Sequence, residues 1–241
     1  MSHVINEMIR RCEQLKLNGV LQSYQSIADQ AAKDSLSYME YLAKVLDYEL
    51  TTRDSRSKQT TLKLASFPTL KTLETFEFGS SNVNKKQITE LATLRFIENA
   101  ENVILLGPSG TGKTHLAISI GYLVTQQRYK VKFITTADLL LQMEAAKSQN
   151  RLSNYLNKVI GGAKLLIIDE FGYLKFNEEQ ANLFFQLINK RYETGSVMIT
   201  SNLTFTKWKE VLNNNEALTA AILDRLIHHS QIITIQGDSY R

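Results

Sequence analysis

The eight residues Gly107-Pro-Ser-Gly-Thr-Gly-Lys-Thr114 restrict what this chain can be more than any other stretch. An apolar run, Val103 to Leu106, leads into them, and a helical pattern follows. They fit G-x-x-x-x-G-K-[ST]. Gly107, Gly110 and Gly112 allow backbone turns that aim several N–H groups at one point, which is an anion cradle. A helix opening at Lys113 turns the positive end of its dipole to the same point. Lys113 can then reach the β- and γ-phosphates of a nucleoside triphosphate, and the Thr114 hydroxyl is placed to ligate Mg²⁺. The alternative is an ordinary glycine turn. At this length the bare pattern arises by accident in roughly one chain in a hundred, given the usual abundance of glycine. The strand before it and the helix after it make accident rarer still.

Downstream, short apolar runs alternate with helical patterns. Strands are expected at 103–106, 130–135, 165–169, 197–201 and 232–235, which predicts an α/β fold with a parallel sheet covered on both faces. Ligands of such sheets lie at the carboxyl ends of the strands. The run 164–170 ends in Asp169 and Glu170. Asp169 would lie near Thr114 and help to hold Mg²⁺, and Glu170 can orient and deprotonate an attacking water. The strand 197–201 leads into Asn202, a neutral amide able to hydrogen-bond the γ-phosphate or the lytic water, or simply to satisfy its own turn. Arg225 sits near the end of the helix 220–229. On local grounds it pairs with Asp224 or faces solvent; alternatively its guanidinium stabilises charge on a transferring phosphoryl group.

The first 66 residues read as a small all-helical domain. Ile5, Met8, Ile9, Cys12 and Leu15 recur at helical spacing, and Asn18-Gly19 reads as a stop. Ser37-Tyr38-Met39-Glu40 is a capping box for a third helix with Tyr38, Leu42, Val45, Leu46 and Leu50 on one face. Arg53, Arg56, Lys58, Lys63 and Lys71 form either a solvated face or an arm that contacts DNA phosphates. Residues 67–84 read as a linker, 85–100 as one helix, and 85–241 as the nucleotide-binding domain.

Composition adds exclusions. The net charge is +4, with the whole basic surplus after residue 80, which permits nucleic-acid binding without requiring it. The single cysteine excludes an internal disulfide. No apolar run reaches the ~20 residues of a membrane span, and no secretory leader is visible, so a cytoplasmic protein with no membrane partner is expected. The four histidines are not expected to form a metal cluster, because His228 and His229 are adjacent and should point to different faces of a helix. His115 reads as structural, and Trp208 as a packing residue.

The chain also resembles a known family, the IstB-type transposition helper ATPases of the AAA+ class, which also contains the DnaC-type helicase loaders. The resemblance runs through Phe67-Pro-Thr-Leu-Lys-Thr-Leu-Glu-Thr-Phe-Glu-Phe, the segment from Phe96 to Ala117, Leu166-Ile-Ile-Asp-Glu-Phe-Gly-Tyr-Leu, Arg191-Tyr-Glu, Ile199-Thr-Ser-Asn-Leu, Ala221-Ile-Leu-Asp-Arg-Leu and Gly237-Asp-Ser-Tyr-Arg. It implies a P-loop NTPase core preceded by a small N-terminal helical domain, with ATP and Mg²⁺ as cofactors. Gly107, Pro108, Ser109, Gly110, Thr111, Gly112, Lys113 and Thr114 match the Walker A loop, Asp169 and Glu170 match Walker B, and Asn202 matches the sensor. Arg225 resembles the arginine finger that acts across a subunit boundary, which implies a homo-oligomer. The resemblance further implies assembly on double-stranded DNA, recruitment or activation of a transposase, and a helical insertion near 137–160 with Lys147, Arg151 and Lys158 facing DNA. It leaves the role of Arg241 open.

The leading expectation is therefore an ATP-hydrolysing, DNA-binding helper of transposition. A replicative helicase loader shares the whole catalytic core and is the alternative. A nucleotide-gated scaffold with little turnover would keep the loop without needing Glu170. A small-molecule phosphotransferase would need an acceptor pocket and a basic lid that the sequence does not display.

Overall fold

The computed structural model describes residues 3–79 and 82–236. Arg241 and the Gly237-Asp-Ser-Tyr-Arg segment lie outside the described residues, as do Ser80 and Ser81 of the expected linker. Two units are distinguished, Met1–Thr60 and Thr61–Arg241.

The first unit is helical, as expected: α1 (His3–Gln14), α2 (Asn18–Lys33) and most of α3 (Tyr38–Ala65). Its small core joins Cys12, Val20 and Val45, with Met8, Leu21 and Tyr24 packed around them. Asn18-Gly19 begins α2 rather than stopping α1; the break falls just before, where Lys16 takes a left-handed conformation (φ 56°). Glu49 explains why. Its buried carboxylate accepts the N–H groups of Gly19 (2.6 Å) and Val20 (3.0 Å), two orphan donors of α2's first turn. A Cβ at position 19 would come within 2.7 Å of the Glu49 backbone, so glycine is required there. Arg53 donates to the other oxygen of Glu49 at 2.5 Å. Burial pushes the Glu49 carboxyl up, but Arg53 and the two N–H groups outweigh it and hold the group below the usual carboxylate range. The Ser37–Glu40 capping box forms, with Glu40 Oε2 accepting the Ser37 N–H at 2.8 Å. The expected apolar face of α3 is only partly used: Val45 is buried, whereas Tyr38, Leu42, Leu46 and Leu50 are exposed.

The second unit is built on five strands, β1 (Asn102–Leu106), β2 (Val131–Thr135), β3 (Leu165–Phe171), β4 (Ser196–Ser201) and β5 (Ser230–Thr234), all parallel, in the order β2-β3-β4-β1-β5. Side chains alternate between faces with a period of two. Ile104, Leu106, Leu166, Ile168, Val197 and Ile199 enter one core, and Val103, Leu105, Leu165, Ile167 and Met198 enter the other. A sheet buried on both faces needs helices on both, which is why its strands are continuous apolar runs. The first face is covered by α7 (Thr136–Ser148), α9 (Glu178–Arg191), the short α10 (Trp208–Val211) and α11 (Glu216–Ile227). The second is covered by α4 (Lys85–Leu91), α5 (Arg95–Glu98) and α6 (Lys113–Gln126).

Two details differ from the sequence expectation. The helix expected over 85–100 is broken at Leu94, which is left-handed (φ 64°); the kink lets Leu91, Leu94, Phe96 and Ile97 all reach the core. Residues 67–79 and 82–84 pack rather than merely connect: Phe76 and Val83 are buried in the second core, and Phe67 lies against it. The region after α7 continues as a short α8 (Leu152–Asn154) that widens into a π-helical segment, Tyr155–Ile160. The helical insertion expected there is present.

Arg191 ties the amino ends of the strands together. It is buried, and its guanidinium donates to the carbonyls of Ile160, Ala163, Lys164 and Ser196 at 2.6–3.1 Å. Burial lowers it to about 10, still a cation near neutrality.

Candidate nucleotide site

The loop after β1 turns at Gly107 (φ 153°), Gly110 (φ 84°) and Gly112 (φ 89°). At Gly107 an added Cβ would strike the Ile235 carbonyl at 2.1 Å, and at Gly112 it would meet the Phe76 ring at 2.7 Å. The glycines are thus required by both conformation and space. The loop is pinned from below, with Gly107 N–H donating to the Ser201 carbonyl (3.1 Å) and Thr111 Oγ1 to the Pro108 carbonyl (2.9 Å). α6 begins at Lys113, so its dipole and free N–H groups face the loop. The Lys113 ammonium is folded inward and donates to the carbonyls of Gly107 (2.7 Å) and Pro108 (2.6 Å). Burial lowers its proton affinity, and the Asp169 carboxylate opposes that shift.

Asp169 and Glu170 arrive from β3, across β4 from the loop. Thr114 Oγ1 donates to Asp169 at 2.9 Å, so the two expected metal-holding residues meet. Thr200 of β4 donates its hydroxyl to the same Asp169 oxygen at 2.5 Å and accepts the N–H of Glu170 at 3.0 Å. Thr136 donates to the Asp169 main-chain carbonyl at 2.9 Å. The β3–β4 register slips between Ile168 and Phe171, and Glu170 is left-handed (φ 61°). Such a bulge re-aims a side chain at a strand end. Asp169 is buried, while Glu170 is exposed and lines the cleft.

Asn202, at the end of β4, also lines this cleft, and its Oδ1 is buried without a hydrogen-bond partner. A buried orphan acceptor is rare and marks a place where a ligand group belongs. Across the mouth, the Tyr173 and Ser109 hydroxyls meet at 2.7 Å. The cleft between these walls has a volume of about 200 Å³. Its donors are hard oxygens, a hydroxyl and a carboxylate, beside an ammonium and a helix N-terminus. That set fits magnesium and a polyphosphate.

Arg225 is not part of this cleft. Its carbonyl lies 3.4 Å from Asn102 Nδ2, at the amino end of β1, whereas the loop follows the carboxyl end. Five residues of strand separate the ends by roughly 16 Å. The guanidinium donates to Asn189 Oδ1 (3.0 Å) and to the Ala221 carbonyl (2.9 Å), and it lies over the Phe185 ring.

Thr200, Tyr173 and Ser201 are site residues that the sequence reading did not pick out. Thr200 and Ser201 carried a signal, since they close the apolar run before Asn202. His115 also lines the cleft; its Nε2 lies 3.0 Å from the Thr72 carbonyl, and its ring packs edge-on against Phe76. Trp208 is fully buried against Phe171. His228 and His229 do not point to different faces as expected. α11 ends at Ile227, so His228 and His229 leave helical spacing, and their rings converge with the Glu193 carboxylate; the ligand atoms lie within 4.8 Å of one another. Among the basic residues proposed to face DNA, Arg151 and Lys158 are exposed, and Lys147 pairs with Glu179 at 2.6 Å. On α3, Arg53 pairs with Glu49 and Lys58 with Asp54.

A five-stranded parallel sheet, a glycine-rich loop opening a helix, and a carboxylate on the strand two places away define a P-loop fold of the AAA+ type. Solved structures share this fold: the DnaC helicase loader (21% identity over 68% of this chain and 96% of that one, TM-score 0.55) and AMPPCP-bound DnaA from Aquifex aeolicus (21%, 70% of this chain and 51% of that one, TM-score 0.58). The chain belongs to the IstB-like ATP binding protein family, which matches residues 10–241. It is 43% identical to the ATP-binding protein named for insertion sequence IS21 of Pseudomonas aeruginosa, over 94% of this chain and 85% of that protein. It is 41% identical to the one named for IS232 of Bacillus thuringiensis subsp. berliner, over 100% and 96%. Among the described residues no helix is long and apolar enough to cross a membrane.

Proposed function

We propose that the chain is an ATP-hydrolysing helper of transposition that assembles on double-stranded DNA and recruits or activates a transposase. The observation that carries the catalytic part is the Thr114–Asp169 contact at the carboxyl edge of the sheet, with Glu170 and Asn202 beside it. In this reading Gly107 to Thr114 cradle the triphosphate, and Lys113 exchanges its two carbonyl partners for phosphate oxygens. Thr114 and Asp169 hold Mg²⁺, which supplies positive charge to the phosphates. Glu170 takes the proton of the attacking water, a contribution of about 10²–10⁴ in rate. Asn202, whose side chain lines the cleft, hydrogen-bonds the γ-phosphate or that water.

Arg225 can complete such a site only from a neighbouring copy, since its own loop lies a strand's length away. A guanidinium supplied in this way is worth about 10³–10⁵. ATP would then close copies onto one another around DNA. Arg151 and Lys158 are the exposed cations best placed on the helical insertion to meet phosphates, while the ion pairs of Arg53 and Lys58 weaken α3 as a DNA arm. The names of the relatives, all tied to insertion sequences, favour this reading over a helicase loader, because the likeness to the loader extends only to the fold.

The test is ATP turnover by the purified chain with and without duplex DNA. Wild type should hydrolyse ATP at a rate that duplex changes. Glu170→Gln should still bind ATP but lose turnover by at least about 10²-fold. Unchanged turnover in Glu170→Gln would remove the assigned base.

A further inference from the structure

The second constellation of the larger unit lies at the opposite edge of the sheet from the nucleotide cleft. α9 ends at Arg191 and α11 at Ile227, and both deliver the turn that follows to the amino ends of the strands. Glu193, in a left-handed conformation (φ 56°), comes from the first turn, and His228 and His229 come from the second. The two imidazole rings pack edge-on with centroids 4.2 Å apart and planes at 62°. The Tyr192 hydroxyl lies 3.1 Å from Nδ1 of His228 and holds that ring from a second direction. A cavity of about 370 Å³ opens beside them, lined by Tyr192, Glu193 and His229 and also by Arg225.

We propose that Glu193, His228 and His229 bind a divalent transition-metal ion of the zinc class. Two imidazoles and one carboxylate are the ligand types that zinc takes, and three protein ligands leave a fourth position for water. The mixed nitrogen and oxygen set favours zinc, cobalt, nickel or copper over magnesium or calcium. Around a tetrahedral zinc at ~2.0–2.1 Å, ligand atoms stand roughly 3.4 Å apart. The trio already lies within 4.8 Å, and all three side chains are exposed, so small rotamer changes close the difference. The negative ends of two helix dipoles converge on the same point and favour a cation there. Tyr192 supplies the outer contact that ligating histidines usually have. This site shares no ligand with the Thr114–Asp169 pair, although Arg225, which lines its cavity, is the guanidinium proposed to reach a neighbouring copy's cleft.

The test uses the full, untagged chain, stripped with chelator and titrated with Zn²⁺ in competition with a chromophoric chelator. One ion per chain should bind at micromolar or lower concentration. His228→Ala and His229→Ala should each weaken it by about tenfold or more. Asp169→Asn should leave it unchanged, which separates this site from the nucleotide cleft. Because His229 adjoins β5, a variant that misfolds is replaced by a measurement on the unmutated chain. Co²⁺ added at one equivalent should broaden the NMR signals of His228 and His229 and spare His3 and His115. Absence of stoichiometric binding below about 100 μM, histidine variants that bind as wild type does, or broadening centred on His3 or His115 would each overturn the assignment.

Discussion

Thr200 holds Asp169 at 2.5 Å while accepting the N–H of Glu170, so one hydroxyl sets both carboxylates at the end of β3. Asp169 accepts from the hydroxyls of Thr114 and Thr200, and Glu170 is turned outward through a left-handed backbone whose N–H donates to Thr200. Thr200→Val preserves shape and removes the hydroxyl. It should lower turnover by about tenfold or more and raise the magnesium concentration needed for half-maximal rate. Leaving Asp169 short of a buried partner should cost about 1–3 kcal/mol of stability. Turnover and thermal unfolding at several magnesium concentrations measure both effects; a variant with wild-type turnover would show that Thr200 plays no part in orienting the pair.

The loop glycines make a sharper test of geometry than of chemistry. Gly112→Ala places a methyl group 2.7 Å from the Phe76 ring at a φ of 89°, whereas Gly79 has nothing within 4 Å of an added Cβ. Gly112→Ala should lose nucleotide binding and cost about 1–3 kcal/mol for the strained backbone. Gly79→Ala should match wild type in both. Fluorescent-nucleotide titration and thermal unfolding of the two variants provide the comparison.

The helical unit carries a pH signature. Glu49 has a folded-state affinity for protons below its unfolded value, because Arg53 and the N–H groups of Gly19 and Val20 stabilise the carboxylate more than burial opposes it. A depressed group contributes stability that is present above the unfolded carboxyl value, ~4.3, and is lost as pH falls through the folded value. Glu49→Gln should therefore be less stable than wild type at pH 7, by about 0.5–2 kcal/mol for the weakened cap. The difference should shrink as pH drops below 4. A constant difference from pH 7 to pH 3 would show that the carboxylate's charge is not what α2 uses.

Much of the nucleotide cleft was legible because its chemistry is local. Gly107 to Thr114 lie in one run, and Asp169, Glu170 and Asn202 each close an apolar strand, so a parallel sheet brings them to one edge. Thr200 was not legible in the same way, since its hydroxyl acquires a partner only when β4 lies beside β3. The break at Leu94 was hidden because 85–100 reads as one helix, whereas Leu91, Leu94, Phe96 and Ile97 do not share one face of a continuous helix and are all buried through a kink. Adjacency misled for His228 and His229, whose helix ends one residue earlier. On α3, helical spacing alone could not say that Val45 is buried while Leu42 and Leu46 stay exposed.

Lys113 and Arg225 lie at opposite ends of the same strand, so the central claim is that one copy's guanidinium completes another copy's site. Mixing two inactive variants tests it directly. On the proposed roles, Lys113→Ala loses its grip on the triphosphate but keeps its guanidinium, and Arg225→Ala keeps the grip but lacks the guanidinium. In a random equimolar assembly, roughly a quarter of the interfaces pair an intact loop with an intact guanidinium. The account predicts that ATP turnover, near zero for each variant alone, recovers to about that fraction of wild type on mixing, with equal recovery in either order of addition. No recovery, or an Arg225→Ala protein that is fully active by itself at high dilution, would contradict it.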